Sequence, residues 1–335
     1  MATTTADISF LTLYDHDDLR LPKGSRSIRV LYIKASSSID DEEQIQSRLR
    51  VVDLDALPPF SALSYVWGVD AAHDHRFIKC GAFNILVTEN CYSALLHLRR
   101  KLGDFSIWID AICINQTDKG EKEQQIPLMG SIYSSAETVY VWLGESSPQS
   151  DRAMSYLTNT GYQECFSRPN WVLRILNFLR IRTLSRADYV TYEDVSNILE
   201  SDWIRRLWTY QEILLASNPI VVCGDKHLQW SIFALGIDSL QYQLPHTETR
   251  DIFISSAKTW AVLYMLGHTQ RYGLIDGILS RKAQDPKDKA FAMWAVLQRF
   301  FAETLPTPNY SLSIGQIYKQ LTIYLVHATG SLDVL

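Results

Sequence analysis

The sequence lacks every short signature that announces a chemistry directly. It contains no GxGxxG, no GxxxxGK(S/T), no GxSxG and no HExxH. Those absences weigh against a dinucleotide fold, a P-loop, a hydrolase elbow and a zincin. Paired cysteines are also missing. Cys80, Cys91, Cys113, Cys165 and Cys223 are scattered, odd in number and without a CxxC. This argues against a disulfide framework or a zinc site and predicts a reducing compartment. No apolar stretch reaches the roughly 18 residues of a membrane span. The longest near miss, Trp260 to Leu266, reads as buried helix. The N-terminus has neither a basic start nor a long apolar run, so it does not read as a signal peptide. A formal net charge of −5 supplies no basic field, which makes nucleic acid a poor partner. The expectation is a cytoplasmic protein with no direct membrane contact.

What is present is an ordinary globular composition. The 335 residues are 47% apolar and 21% charged, enough for one large core or two smaller units. Nine tryptophans point first to a large aromatic core. Residues 1–27 are polar and Asp-rich and read as a flexible arm. Arg29 to Lys34 and Leu49 to Leu54 have strand composition and predict an antiparallel pair. Phe60 to Gly68, Ser106 to Asp110 and Thr138 to Leu143 are short, apolar strand candidates. Two helices separate them: one capped by Thr88 with Leu95, Leu98 and Leu102 on a face, and one from Ile126 to Ala136. Arg76 to Cys80 and Asn84 to Val87 read as a hairpin about Gly81. This alternation predicts an α/β domain over residues 28–225 with a mostly parallel sheet and flanking helices. Residues 146–200 read as a helical insertion. Ile220 to Cys223 is a fourth strand, and 226–335 reads as a helical C-terminal extension packed on the domain. The chain stops just after a helix, which suggests that the full protein continues beyond it.

Parallel sheets place ligands beyond the C-terminal ends of their strands. That directs attention to Trp67 and Gly68, to Asp110 and the loop after it, and to the helix read over Ser201 to Ala216. The last carries Arg205, Trp208, Thr209 and Glu212 at i, i+3, i+4, i+7 spacing, on one face. Glu212 beside Trp208 is the best candidate for an active-site acid. The competing reading is a solvated or salt-bridged helix residue. Cys113 becomes a nucleophile only if its pKa is lowered, and a partly buried cysteine is the plainer reading. His73, Asp74 and His75 read as a solvated turn, so no metal is expected.

Three ordered stretches are specific together: FSALSYVWG, then IWIDAICINQ with EKEQQIPLMGSIYSSAETVYVWLGE, then WIRRLWTYQEI. With them the chain resembles the HET (heterokaryon incompatibility) domain of fungal proteins, over roughly residues 28–225. DPKDKAFAMWAVL and GSLDVL continue the resemblance more weakly. It implies an effector of fungal non-self recognition and cell death, working with an upstream sensor or allelic partner protein and forming a homo-oligomer on activation. The HET domain in turn looks like the TIR domain, which implies a flavodoxin-like sheet. The step from Trp208 to Glu212 is similar to the helix that carries the catalytic Glu of NAD-cleaving TIR domains. The resemblance thus puts Glu212 in the catalytic position. The stretch from Ser146 to Glu200 is far longer than in TIR domains.

Cleavage of the nicotinamide–ribose bond of NAD proceeds through an oxocarbenium-like transition state. Nicotinamide leaves as a neutral molecule, so one carboxylate suffices where glycosidases use two. Glu212 fits that role by charge stabilisation. Trp67, Trp108 or Trp208 would supply a stacking face. Ser64, Tyr65, Gly68, Asp110, Asn115 and Arg205 complete the expected substrate contacts. NAD or NADP is then a substrate, and no cofactor is expected. Asn115 and Gln116 also read as residues that fix the loop after the second strand through backbone hydrogen bonds. The alternative reading is a non-enzymatic TIR-like oligomerisation module.

Overall fold

The run SIRVLYI, apolar but for its Ser and its Arg, is the natural centre of a sheet, and that is where it lies. In the computed structural model the described residues are 13–37, 43–67, 75–167, 190–199, 201–240, 286–287, 289–291 and 311–329. The chain divides into two units. One comprises Met1–Leu63 and Trp67–Ile126, the other Ser64–Val66 and Pro127–Leu335.

In the first unit the elements follow as β1 (Ser27–Ile33), β2 (Gln46–Asp53), β3 (Ser61–Ser64), β4 (His75–Cys80), β5 (Phe83–Thr88), α1 (Glu89–Leu102), β6 (Phe105–Trp108), a helical turn α2 (Asp110–Cys113) and α3 (Lys119–Gln125). The strand order is β5-β4-β2-β1-β6-β3. β1 is antiparallel to both of its neighbours, β2 and β6. β4 and β5 form the expected hairpin, turning at Gly81, whose φ of 60° suits glycine. β2 runs parallel to β4, and β3 parallel to β6. The sheet is therefore mixed rather than mostly parallel. The cause is local: the early antiparallel pair does not stand outside the sheet but inserts β1 beside β6. α1 is capped by Thr88, whose hydroxyl accepts from the Cys91 N–H at 3.3 Å. It ends at Gly103, with φ 71°. The loop read after the second strand holds α2 and α3 instead. Asp118 caps α3 by accepting from the N–H groups of Gly120 and Glu121.

The expected flexible arm is tied down where it is described. Leu13 bridges Asn84. The short 3₁₀ turn His16–Leu19 is held by a His16 Nε2 contact to the Ile112 carbonyl at 2.8 Å.

The second unit contains α4 (Met129–Ser135), β7 (Val139–Trp142), α5 (Pro148–Ser167), α6 (Tyr192–Leu199), α7 (Asp202–Arg205), α8 (Leu207–Leu215), β8 (Pro219–Cys223), β9 (Lys226–Gln229), α9 (Trp230–Leu240) and α10 (Ile314–Thr329). β7 and β8 are parallel, and β8 and β9 form a hairpin. The core gathers Met154 and Leu157 of α5, Tyr210 and Ile213 of α8, and Trp230, Phe233 and Ile237 of α9. It thus runs through the expected insertion and past residue 225. α5 and α9 touch at two glycines. A Cβ on Gly161 would stand 2.1 Å from the Ile232 carbonyl oxygen, and one on Gly236 would stand 2.7 Å from that of Leu157. Of the helical extension expected over 226–335, residues 241–285, 288, 292–310 and 330–335 lie outside the described residues.

Candidate functional site

The stretch read as one amphipathic helix is two helices. Arg206 separates α7 from α8 in extended backbone, with φ −73° and ψ 140°. No Pro or Gly marks the break. Side chains take over the backbone groups instead. The Thr209 hydroxyl lies 2.7 Å from the Trp203 carbonyl and 2.8 Å from that of Arg206. The Arg206 guanidinium donates to the Tyr65 carbonyl at 2.7 Å. Every residue from Thr209 to Ala216 is buried, so α8 has no solvated face there. Glu212 is 5% exposed and is not a surface acid.

Its carboxylate is met from the end of β3. The Ser64 hydroxyl donates a short hydrogen bond to Glu212 Oε2, and Trp203 Nε1 donates to Ser64 Oγ at 2.8 Å. Trp203 is itself buried against Trp230, with ring centroids 5.9 Å apart. Tyr65 is buried, and Trp208 packs half-buried against the core. Ser64, Tyr65, Trp203, Arg206, Thr209 and Glu212 are therefore one connected polar cluster in the second unit. Burying a carboxylate costs several kcal/mol, roughly, unless hydrogen bonds compensate it, and this cluster supplies them.

A second group of expected residues assembles in the first unit. Trp67 Nε1 lies 3.0 Å from each Asp110 oxygen. Asp110 also accepts from the Ala111 N–H at 2.7 Å, at the start of α2. Gln116 donates to the Asp110 carbonyl at 2.8 Å. Asn115 Oδ1 accepts from the Thr117 N–H and hydroxyl. Asn115 and Gln116 fix the loop, as their residue types imply. Trp108 is fully buried and offers no face to a ligand. Cys113 is also fully buried, and burial pushes its thiol up to about 12, which removes it as a nucleophile. Gly68, His73, Asp74 and the side chain of Arg205 lie outside the described residues. Among the described residues no group of three or more His, Cys, Asp or Glu is placed to hold a metal ion, and no helix is long and apolar enough to cross a membrane.

Sequence reasoning missed three participants. Trp203 belongs to the core, but its indole N–H also reaches Ser64. Arg206, next to the expected Arg205, holds the Tyr65 carbonyl. Arg29 sits fully buried in β1 and forms an ion pair with Glu121 at 2.5 Å. It also donates to the carbonyls of Leu19 and Cys113. Burial pushes the Glu121 carboxyl up, but the Arg29 hydrogen bonds and charge, with the Asn115 N–H, outweigh it and hold the group below the usual carboxylate range. The available signal for Arg29 was a charge inside an otherwise apolar strand.

Residues 60–212 match the profile of the family described as heterokaryon incompatibility protein (HET). Ser64 and Glu212 both fall inside that match, the second at its last residue. The chain is 30% identical over 254 residues to "Heterokaryon incompatibility protein 6, OR allele" of Neurospora crassa. That alignment covers 66% of this chain and 37% of the relative, so the chain spans well under half of the length of that protein. No solved structure matches.

Proposed function

Since this chain is a HET-domain protein, we propose that it is an effector of fungal non-self recognition that cleaves the nicotinamide–ribose bond of NAD or NADP with Glu212 as the catalytic carboxylate. The name of the Neurospora relative supports the biological role. The observation that carries the chemistry is the buried hydroxyl–carboxylate pair of Ser64 and Glu212. Glu212 stands among the buried Tyr210, Ile213, Leu214 and Leu215, where an apolar residue would avoid the desolvation cost. A TIR-like, flavodoxin-like reading is supported by two parallel strand pairs, β3 with β6 and β7 with β8, each joined by a helix-bearing crossover.

In the proposed reaction the bond from ribose C1′ to the nicotinamide nitrogen breaks. Its electron pair leaves with the nitrogen, which turns the cationic ring into neutral nicotinamide. Positive charge develops on C1′ and the ring oxygen, and the Glu212 carboxylate stabilises it in a site largely closed to water. Water then adds to C1′ and gives up a proton, leaving ADP-ribose or its 2′-phosphorylated counterpart.

The test is nicotinamide release from NAD and NADP by the purified chain. Release is expected, and Glu212→Ala, checked by circular dichroism for an intact fold, is expected to lower it at least about a thousand-fold. A rate unchanged in that variant removes Glu212 from the chemistry. No release by the unaltered chain, even when crowded or oligomerised, would instead make it an assembly module for a second copy or for an upstream sensor.

A further inference from the structure

The geometry points to Ser64 as a positioning residue, fixed by Trp203, that aims its single proton at Glu212 and does not itself touch substrate. An indole N–H is a donor only. The Trp203 Nε1–H at 2.8 Å therefore obliges Ser64 Oγ to accept. A serine hydroxyl has one proton to give, and the remaining short contact is Glu212 Oε2. The direction of the relay is thus Trp203 to Ser64 to Glu212.

Ser64 and Trp203 are immobilised by something other than the relay. Ser64 is fully buried at the end of β3. The carbonyl of the next residue, Tyr65, is held by Arg206. Trp203 is clamped between its ring contact with Trp230 and the Thr209 contact to its carbonyl. A fully buried hydroxyl with both partners assigned has neither room nor a free proton for a ribose. This reassigns Ser64 from the expected substrate contact to a group acting through Glu212.

The role for catalysis rests on the reading of Glu212 as the catalytic carboxylate. The relay itself is testable without it. Two measurements separate the two statements. The first is the kinetics of nicotinamide release from NAD. Ser64→Ala is expected to lower kcat about 10- to 100-fold with KM changed by less than about two-fold, since one aimed donor is lost and no substrate contact is. The acid limb of the pH profile is expected to move upward, because a hydrogen bond to the charged form favours that form. Ser64→Thr, which keeps the hydroxyl, restores both, and Trp203→Phe gives an intermediate loss. A raised KM with kcat intact would show that Ser64 binds substrate and would overturn the inference.

The second measurement is a carbon-13 NMR titration of the glutamate carboxyl carbons in the full chain, with Glu212 assigned from Glu212→Gln. Its midpoint is expected to rise in Ser64→Ala and to return in Ser64→Thr. This needs no turnover. A rise without nicotinamide release keeps the relay and removes the catalytic reading. An unmoved midpoint sinks the relay whatever the kinetics show. If Ser64→Ala does not fold, Ser64→Cys preserves the volume with a weaker donor, and the same two outcomes decide.

Discussion

Glu121 and Glu212 are both carboxylates taken largely out of water, and the two units hold them differently. In the first unit Glu121 faces a guanidinium. Both of its oxygens receive Arg29 N–H groups, at 2.5 and 3.0 Å, and the pair ties the N-terminal segment, β1 and the turn after β6 into one knot through Arg29 contacts to Leu19 and Cys113. In the second unit Glu212 receives a serine hydroxyl oriented by an indole. An ion pair fixes both partners and leaves the charge spent on structure. A hydroxyl donor orients a carboxylate without neutralising it, which is what the proposed reaction asks of Ser64. A buried acid is therefore informative about function according to what faces it rather than how deeply it lies.

The contrast predicts that charge holds the first unit and close packing the second. Arg29→Met removes the counter-ion and leaves Glu121 buried. It is expected to cost about 3–5 kcal/mol of stability in urea or guanidinium unfolding. A loss under about 1 kcal/mol would mean that the knot is incidental. In the second unit, Gly161→Ala places a methyl against the Ile232 backbone. Expected is a loss of about 1–3 kcal/mol by overpacking, read in the same experiment, with the α5–α9 contact loosened rather than any charge removed. The smallest effect is in acid. Glu121 lies below its ordinary 4.5 through the Arg29 and Asn115 contacts that outweigh burial. Asp194 lies below 3.8 because Arg152 and Thr191 outweigh burial in the same way. A depressed folded-state pKa contributes stability above the unfolded value, and that contribution is lost as pH falls through the folded one. Thermal midpoints should fall with pH starting near 4.5, and Arg29→Met should blunt the fall. A midpoint flat down to pH 3 would show that neither carboxylate carries linkage.

Much of the scaffold was legible because its signals are local. The strand runs, the Gly81 turn, the Thr88 cap and the leucine face of α1 are each written within a dozen residues. The mixed sheet was not legible, since nothing in the composition of β1 says which strand will lie beside it. The break at Arg206 was hidden for a related reason. It depends on Tyr65 and Thr209 rather than on a helix-breaking residue. For the site, the residue type and its surroundings singled out Glu212, but spacing on a helix implied a solvated face that α8 does not have. Its partner Ser64 stands 148 residues earlier, beyond any periodicity.

That separation has a consequence for how the protein is made. Contacts between distant positions form late, because the entropy of closing a long loop precedes any return. The Ser64–Glu212 pair closes a loop of 148 residues, and synthesis proceeds from the N-terminus. A nascent chain that has not yet reached Glu212 carries the donating serine but no acid. A fragment that ends between them is in the same condition. If the proposed cleavage runs through this pair, completeness of the domain is a precondition of activity.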